Sequence, residues 1–306
     1  MRIIITGGTG MIGSKLAVVM AKDGHEVIIL SRNPDGHILP PGIRAEKWDT
    51  QTADGWGHLA DGAGAIVNLA GENVSGSGFI PSRWTPERKK RIEESRLNAG
   101  RAVTAAVQAA RHKPGVVIQA SGIDYYPNSS KLIDETASPS SSFLGKVVTQ
   151  YWEPSTAEVE RMGVRRVVAR IGLVLSMDGG ALPITVLPFR LFVGGPLGSG
   201  QQWWSWVHVD DVVAALKFFV ENENAQGATN VTAPNPITNK ALGNVIGRVL
   251  RRPSFFPVPA FALKLALGEL AAIVLEGRNV SSQKLQDSGF SFKYTNAEAA
   301  LRDLLI

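Results

Sequence analysis

The sequence contains no cysteine. Disulfide bonds, thiolate nucleophiles and zinc sites with cysteine ligands are therefore excluded for this chain. A long uncharged apolar run is also missing, because the most apolar C-terminal stretch, residues 261–276, contains Lys264, Glu269 and Glu276. That pattern predicts an amphipathic helix rather than a membrane span. No targeting segment precedes the first strand-like residues, so we expect a cytoplasmic protein without a membrane partner.

Several patterns of known enzymes are absent as well. There is no G-x-S-x-G elbow, no H-E-x-x-H and no Walker lysine after a glycine loop. The histidines are scattered, and we expect no metal site. The chain has 32 basic and 27 acidic residues. Because acids interleave with the densest basic cluster, residues 87–96, we read it as a solvated helix face and expect no nucleic-acid partner.

A glycine-rich turn follows the first apolar segment. Residues 2–6 (RIIIT) predict a buried parallel strand, and residues 26–31 predict a second strand after an intervening helix. In between, TGGTGMIG places Gly7, Gly10 and Gly13 at G-x-x-G-x-x-G spacing. In a β–turn–α–β unit such a turn lets the backbone and the free N–H groups of the helix approach a diphosphate. We therefore predict a dinucleotide site, with a purely structural glycine turn as the less favoured alternative.

The end of the second strand distinguishes NAD from NADP. An NAD site usually has Asp or Glu there to bind the ribose hydroxyls. This chain has Ser31 and Arg32 instead. A guanidinium pairs with a 2′-phosphate and a hydroxyl can hydrogen-bond to it, so the sequence favours NADP(H). The alternative is that Arg32 is a solvated loop residue.

The remaining pattern predicts an α/β protein. Strand-like segments recur at residues 65–71, 115–121 and 165–172, and helical segments at 85–111 and 142–163. This alternation predicts a Rossmann fold, a doubly wound parallel sheet covered by helices on both faces.

The composition changes near residue 176, where glycine, proline and tryptophan become frequent. We expect loops and short elements there, followed by helices at about 211–222, 238–251, 260–275 and 296–305. We therefore divide the chain into an NADP-binding Rossmann domain, 1–175, and a smaller C-terminal α/β substrate lobe, 176–306, part of which returns to the Rossmann core.

Several segments carry a resemblance to a known family. They are TGGTGMIG, LSRNP, VNLAGENV, RWTPERKKRIEESR, LPFRLFVGGPLGSGQQWWSWVHVDD and the terminal GFSFKY…AALRDLL. Together they resemble the epimerase family protein group, extended or atypical members of the short-chain dehydrogenase/reductase superfamily with their own C-terminal segment. The resemblance covers essentially the whole chain. It implies NADP(H) binding and an oxidoreductase or nucleoside-diphosphate-sugar epimerase acting on an unknown small molecule, such as a nucleotide sugar or a carbonyl compound.

The resemblance also implies which residues contact the cofactor. They are Gly7, Thr9, Gly10, Met11, Ile12, Gly13, Ser31, Arg32, Leu69, Ala70, Gly71 and Arg96. Without the resemblance, the sequence favours a helix-surface position for Arg96.

Members of the superfamily use a serine and a Tyr-x-x-x-Lys pair on one helix, where the lysine activates the phenol for proton transfer. No tyrosine of this chain is followed four residues later by lysine. If Lys146 is aligned with the lysine of the pair, Ser142 occupies the tyrosine position. If Glu153 is aligned with the glutamate of that helix, Gly145 and Thr149 occupy the tyrosine and lysine positions. This departure puts ordinary carbonyl reduction and 4-epimerisation in doubt.

Other residues are candidates for the chemistry. Ser121 matches the catalytic serine, with a strand-end hydroxyl that caps the next turn as the alternative. Tyr125 and Tyr126 follow it and are candidate proton donors. Glu72 is a candidate base or a supporting residue, and for His208 a structural role is favoured over a catalytic one.

Two clusters near residue 205 have structural and functional interpretations. Trp204 and Trp206 alternate as on one strand face, and with Trp203 they suit either packing of the lobe, slightly favoured, or stacking on a flat substrate. Asp210 and Asp211 are expected to cap the next helix.

Two hypotheses about function follow. One is an NADP(H)-dependent enzyme in which Ser121 polarises the substrate oxygen and Tyr125 or Tyr126 supplies the proton. The other is an NADP(H)-binding regulatory or interaction protein with little turnover, suggested by the missing Tyr-x-x-x-Lys. The C-terminal lobe, expected to complete a substrate cleft, favours the enzyme.

Overall fold

The computed structural model describes residues 1–36, 38–76, 78 and 81–306. Within them the strands are β1 (Arg2–Thr6), β2 (Glu26–Ser31), β3 (Ile43–Lys47), β4 (Ala65–Asn68), β5 (Val116–Gly122), β6 (Ser129–Ile133), β7 (Arg165–Ile171), β8 (Leu173–Leu175), β9 (Trp203–Trp204), β10 (Trp206–His208), β11 (Gly227–Val231), β12 (Ile237–Thr238) and β13 (Arg278–Val280).

The helices of the same residues are α1 (Met11–Lys22), α2 (Pro86–Ala109), α3 (Phe143–Lys146), α4 (Glu158–Arg161), α5 (Leu182–Arg190), α6 (Val209–Glu221), α7 (Asn239–Leu250), α8 (Ala260–Leu267), α9 (Ala272–Leu275), α10 (Gln283–Asp287) and α11 (Ala297–Leu305). A π-helical segment, Val147–Trp152, and a 3₁₀ turn, Pro154–Thr156, lie between α3 and α4.

Seven parallel strands form the central sheet, in the order β11-β7-β5-β4-β1-β2-β3. The chain winds outward from β1 in both directions, so the order reverses between β1 and β4. This confirms the expected doubly wound α/β fold. In such sheets the crevice at the carboxyl ends of the strands, at the reversal, is the usual ligand site.

Alternating side chains of β1 fill the cores on both faces of the sheet. Ile3 and Ile5 pack in the cluster that contains Leu16 of α1, whereas Ile4 packs with Val103 of α2. All five are fully buried. The continuous apolar run of β1 therefore reflects a strand covered by helices on both sides.

The C-terminal part departs from expectation in detail. The segment after residue 176, expected to hold loops and short elements, contains α5, and the helix expected over 260–275 is broken at Gly268, whose φ is +61°. Two small sheets form, a β10-β8 pair and a mixed sheet ordered β12-β9-β13-β6. Strand β11 returns to the central sheet beside β7.

Among the described residues, no helix combines the length and the apolar character that crossing a bilayer requires.

Candidate functional site

The glycine turn holds the chain unusually close to neighbouring backbone. Gly7 has φ +65°, and a Cβ atom there would lie 2.9 Å from the carbonyl carbon of Leu69. A Cβ on Gly13 would lie 2.4 Å from the carbonyl oxygen of Gly7. Real Cβ atoms do not approach other atoms this closely, so only glycine permits α1 to begin directly against the end of β1.

The N-terminus of α1 is left open toward the crevice. Gly10 is the residue before the helix, no side chain caps it, and the first turn contains no acid. The backbone N–H groups at the start of a helix have no partner within it and attract anions. The Gly10 N–H itself donates to the Gly7 carbonyl at 3.0 Å. The residues present therefore fit a diphosphate at the N–H groups of Met11 and Ile12, which Gly10 lets approach closely.

A buried polar chain ties the carboxyl ends of β1, β4 and β5 together. The Thr6 hydroxyl donates to Asn68 Oδ1 at 2.5 Å, and Asn68 Nδ2 donates to Gln119 Oε1 at 2.9 Å. The same hydroxyl oxygen accepts from the N–H groups of Leu69 and Ala70, each at 3.1 Å. These bonds fix the turn after β4 beside the glycine turn, and the family resemblance implies that Leu69 and Ala70 of this turn contact the cofactor.

The end of β2 presents one buried hydroxyl and one exposed cation. Ser31 is buried and its hydroxyl oxygen accepts the Asn33 N–H at 3.2 Å, whereas Arg32 is exposed. Among the described residues Arg32 has no carboxylate within 4.0 Å. Its guanidinium is accordingly available to an anion at the strand end.

Arg96 is buried, so the helix-surface interpretation of this residue is wrong. Its Nη1 donates to the carbonyl oxygens of Glu72 and Ile92, both at 3.1 Å, and its guanidinium lies 4.5 Å from the ring centre of Trp152. Burial lowers the pKa of Arg96 to about 10. A Cβ on Gly71 would lie 3.4 Å from Arg96 Cζ, which places this cation directly beside the turn after β4.

A segment of the C-terminal part contacts the first turns of α1. Asp178 pairs with Lys15 of α1 at 3.1 Å, and a Cβ on Gly179 would lie 3.6 Å from Met11 Sδ. Beside it a groove of about 660 Å³ runs from Thr9 along the α1–α6 contact. The start of α1 is thus flanked by residues from both parts of the chain.

Ser121 is bonded to a buried ion pair. Its hydroxyl donates to Glu153 Oε1 at 2.7 Å, and Arg170 donates to both oxygens of Glu153 at 2.8 and 3.0 Å. Ser121 and Arg170 are register partners on β5 and β7, and Glu153 follows the π-helical segment. Burial alone disfavours the charge of Arg170, but the Glu153 carboxylate raises its pKa. Because the Ser121 hydroxyl donates its hydrogen to Glu153, its oxygen can only accept hydrogen bonds from other neighbours.

The two tyrosines after β5 differ in access. Tyr126 is fully buried, its hydroxyl donates to Asn230 Oδ1 at 2.8 Å, and burial raises its pKa to about 12. This environment argues against Tyr126 as a proton donor to substrate. Tyr125 is half-buried, and the Arg170 guanidinium lies 3.4 Å from its ring centre. The Arg170 guanidinium thus lies against the ring of Tyr125, whereas its Nη1 donates to the hydroxyl of Tyr126 at 3.0 Å.

His208 has a structural place at the start of α6. Its Nδ1 accepts the Asp210 N–H at 3.1 Å, and its ring packs on Tyr294 with centres 4.0 Å apart. Asp211 instead accepts from the N–H groups of Lys293 and Tyr294. The expectation that Asp210 and Asp211 cap this helix is therefore wrong, because the imidazole is the cap.

Acidic groups lie on the other side of the same histidine. Its Nε2 is 3.3 Å from an oxygen of Asp303, and donor atoms of His208, Asp210 and Asp303 lie within 4.8 Å of one another. The ammonium of Lys293 lies 4.8 Å from the Tyr294 ring centre, and a hydrogen bond with Tyr294, together with the charges of Asp210 and Asp303, raises its pKa. A protein cation thus lies in the neighbourhood of these acids.

The tryptophan cluster contributes mainly to packing. Trp204 and Trp206 lie in one buried cluster of the C-terminal part although they belong to β9 and β10, in different sheets. Trp206 donates its indole N–H to the Asn235 carbonyl at 3.0 Å. Trp203 is half-buried and stays a candidate for substrate contact.

Family models and relatives agree with this geometry. The model described as NAD dependent epimerase/dehydratase family matches residues 3–232, and a domain of unknown function, DUF1731, matches residues 258–304. The chain belongs to the NAD-dependent epimerase/dehydratase family. Within this family it is 37% identical to Epimerase family protein YfhF of Bacillus subtilis, over all of this chain and 98% of the relative.

Two further relatives of this epimerase-family chain extend the comparison. The Epimerase family protein SDR39U1 homolog, chloroplastic, of Arabidopsis thaliana is 39% identical over all of this chain and 87% of its own length. The crystal structure of human epimerase family protein SDR39U1 (isoform2) with NADPH superposes with a TM-score of 0.86 at 30% identity, covering 99% of both chains.

Reasoning from the sequence missed Arg170 and the roles of Thr6, Asn68 and Gln119. The signal was present, because each is a polar residue at or near the end of an otherwise apolar strand segment. Buried polar groups must find partners, so such residues indicate a network at that edge of the sheet.

We expect Glu153→Gln to lower the free energy of unfolding by about 3 kcal/mol, because it leaves the buried guanidinium of Arg170 without a charged partner. The two side chains are 14% and 5% exposed. The matched control is Glu158→Gln, which removes an exposed ion pair with Arg161 and should cost less than about 0.5 kcal/mol. Urea denaturation measures both, and equal small losses would contradict the importance of the buried pair.

We expect His208 to make stability depend on pH. Burial lowers the pKa of His208, so below about pH 6.5 the unfolded chain binds a proton more readily than the folded one. The free energy of unfolding should therefore fall as the pH is lowered from 7 to 5, and fall less in His208→Asn, which keeps a capping side chain. The control is His58→Asn, at an exposed position. Urea titrations at both pH values provide the comparison, and parallel pH profiles for wild type and His208→Asn would refute the assignment.

Proposed function

We propose that this chain is an NADP(H)-dependent oxidoreductase or epimerase that acts on a small molecule. The observation that carries the proposal is the uncapped N-terminus of α1, held against β1 by Gly7 and Gly13 at the reversal of the sheet. An anion bound there meets backbone N–H donors and the positive end of the helix dipole.

Two features support NADP(H) over NAD(H), and a third, Arg96, suits an anionic dinucleotide of either kind. Ser31 and Arg32 stand where an NAD site usually has a carboxylate, and Arg32 is exposed without an acidic partner among the described residues. The buried cation of Arg96 lies beside the turn after β4. The human relative named above was crystallised with NADPH. The cofactor would lie along Thr9–Gly13 and the turn Leu69–Gly71, with its 2′-phosphate at Arg32.

NADPH, when bound, supplies a hydride, and the protein must manage the proton at the substrate oxygen. Tyr125 is the proposed proton donor, because it is the tyrosine after β5 that is not fully buried and its ring contacts Arg170. In the arrangement described, Ser121 accepts a hydrogen bond from a substrate hydroxyl. Polarising a carbonyl requires the Ser121 proton to turn away from Glu153.

A binding protein with little turnover is the second candidate. Two observations favour it: the absence of Tyr-x-x-x-Lys and the use of the Ser121 hydroxyl by a buried ion pair. In that case the cofactor would act as a signal, and a partner's affinity would depend on NADPH.

We expect Arg32→Ala to weaken NADPH binding by about 10- to 100-fold, because it removes a charge-assisted contact with the 2′-phosphate. NADH, which lacks that phosphate, should bind almost as before. Arg101→Ala, at another exposed arginine, is the control and should leave both affinities unchanged. Titrations that follow nicotinamide fluorescence and energy transfer from tryptophan give the constants. Equal losses for the two nucleotides would disprove the assignment of Arg32.

Turnover distinguishes the two candidate functions. Stopped-flow absorbance at the nicotinamide band would follow NADPH with a panel of carbonyl compounds, quinones and nucleotide sugars. An enzyme should oxidise NADPH with a member of the panel, and Ser121→Ala and Tyr125→Phe should reduce the rate at least about tenfold while NADPH binding stays intact. Tight NADPH binding without turnover would favour the binding protein.

A further inference from the structure

One surface of the C-terminal part exposes large apolar side chains at three neighbouring places. We call it the apolar patch; its residues, 45–74% exposed, are Leu191, Phe192, Val193, Phe255, Phe256, Phe261 and Leu265. Scattered exposed apolar residues are ordinary, but a contiguous group of this size indicates an interaction site.

Backbone bonds join these places into one surface. The Phe256 N–H donates to the Gly194 carbonyl at 3.1 Å, and the Val258 N–H donates to the Pro196 carbonyl at 2.9 Å. The segment after α5 therefore runs beside the segment that enters α8. Phe255 and Phe256 pack on each other with ring centres 4.6 Å apart, so the patch has a defined shape.

Helix α8 is apolar in sequence but contains no buried residue. Phe261 and Leu265 are one turn apart and share its outer face, 73% and 74% exposed. Polar contacts fasten the helix instead: Arg83 Nε donates to the Ala266 carbonyl at 3.0 Å, and Lys89 pairs at 2.6 Å with Glu269, just beyond its end. Packing within the chain thus leaves the apolar face of α8 without a partner among the described residues.

The two sequence segments that contain this patch are basic. Residues 179–209 and 224–268 contain six basic residues and no acid, which leaves 26 basic and 27 acidic residues elsewhere. Arg190, Arg251, Arg252 and Lys264 are exposed. In the described part of the chain none of the four has a carboxylate within 4.0 Å. The guanidinium of Arg252 lies 4.3 Å from the ring centre of Phe192.

We propose that the apolar patch docks on an anionic lipid bilayer, with its phenylalanine and leucine side chains in the interface and its bases against the headgroups. Apolar residues on one exposed helix face with flanking Lys and Arg are the combination that binds such surfaces. This mode needs no spanning helix, so it revises the expectation of no membrane partner. A second copy fits poorly, because a two-fold contact would bring two basic rims together, and the acid that follows α8, Glu269, is already paired with Lys89.

Vesicle co-sedimentation of the full chain tests the proposal. The probes are vesicles of phosphatidylcholine alone and of phosphatidylcholine mixed in equal parts with phosphatidylglycerol. We expect binding to the mixed vesicles at least about tenfold stronger than to the neutral ones, and its loss between about 0.05 M and about 0.5 M salt.

Two pairs of variants assign the surface. Phe261→Ser/Leu265→Ser and Arg190→Glu/Lys264→Glu should each weaken binding to the mixed vesicles about tenfold or more. One control is Leu132→Ser, at a position on β6 that is 63% exposed. The other is Arg101→Glu/Arg111→Glu, which changes one exposed arginine in α2 and one just after it. Both controls should bind the mixed vesicles as the wild type does. Circular dichroism checks that every variant is folded, which we expect because all the substituted positions are exposed.

Three results would overturn the proposal. They are no binding of the wild type to mixed vesicles at low salt, equal binding by the patch variants and their controls, and a concentration-dependent dimer that Phe261→Ser/Leu265→Ser abolishes. The last would assign the patch to a second copy of the chain.

Discussion

The contact between two pieces of backbone at the end of β1 is the constraint on which the site depends. Gly7 leaves room for the turn after β4, and Gly13 leaves room for α1 to start against the carbonyl of Gly7. The same closeness brings unpaired N–H groups to the one place where the sheet reverses direction. The same two glycines therefore determine both the fold and the anion site, since a larger side chain at Gly7 or Gly13 would separate the helix from the strand.

A second constraint is the buried ion pair between Glu153 and Arg170. It occupies the region where the superfamily pattern would place its catalytic helix, and it takes the hydroxyl proton of Ser121. Breaking such a pair is costly because each charge has already lost its water. The chain thus keeps a rigid polar framework at the carboxyl edge of the sheet, with Tyr125 against the cation of that pair.

The two ends of the molecule show different relations between apolar sequence and burial. In β1 an apolar run is buried on both faces by α1 and α2. In α8 an apolar run contains no buried residue, and Phe261 and Leu265 are exposed beside Lys264. Hydrophobicity alone does not separate these cases, because burial depends on whether another element reaches the same face. The exposed case is the one that calls for a partner outside the chain.

Much of the nucleotide-binding half followed from local patterns. β1, β2, the glycine turn and the start of α2, where the Thr85 side chain accepts the Arg88 N–H, lie where strand runs, glycine spacing and capping chemistry placed them. Those signals act over a few residues, so the sequence alone determined them. The inference of NADP(H) from Ser31 and Arg32 is likewise local, because it depends on the residue types at the end of one strand.

Only the tertiary structure decided the environment of each polar residue. Arg96 lies on a charged helix yet is buried beside Gly71. Tyr126 is fully buried whereas its neighbour Tyr125 is half-buried, and the His208 side chain caps a helix. Each outcome depends on residues far away in the chain, such as Trp152 for Arg96 and Asn230 for Tyr126. Local periodicity indicates which elements form. Long-range packing decides which side chains are buried away from water, and burial in turn sets their pKa and their chemistry.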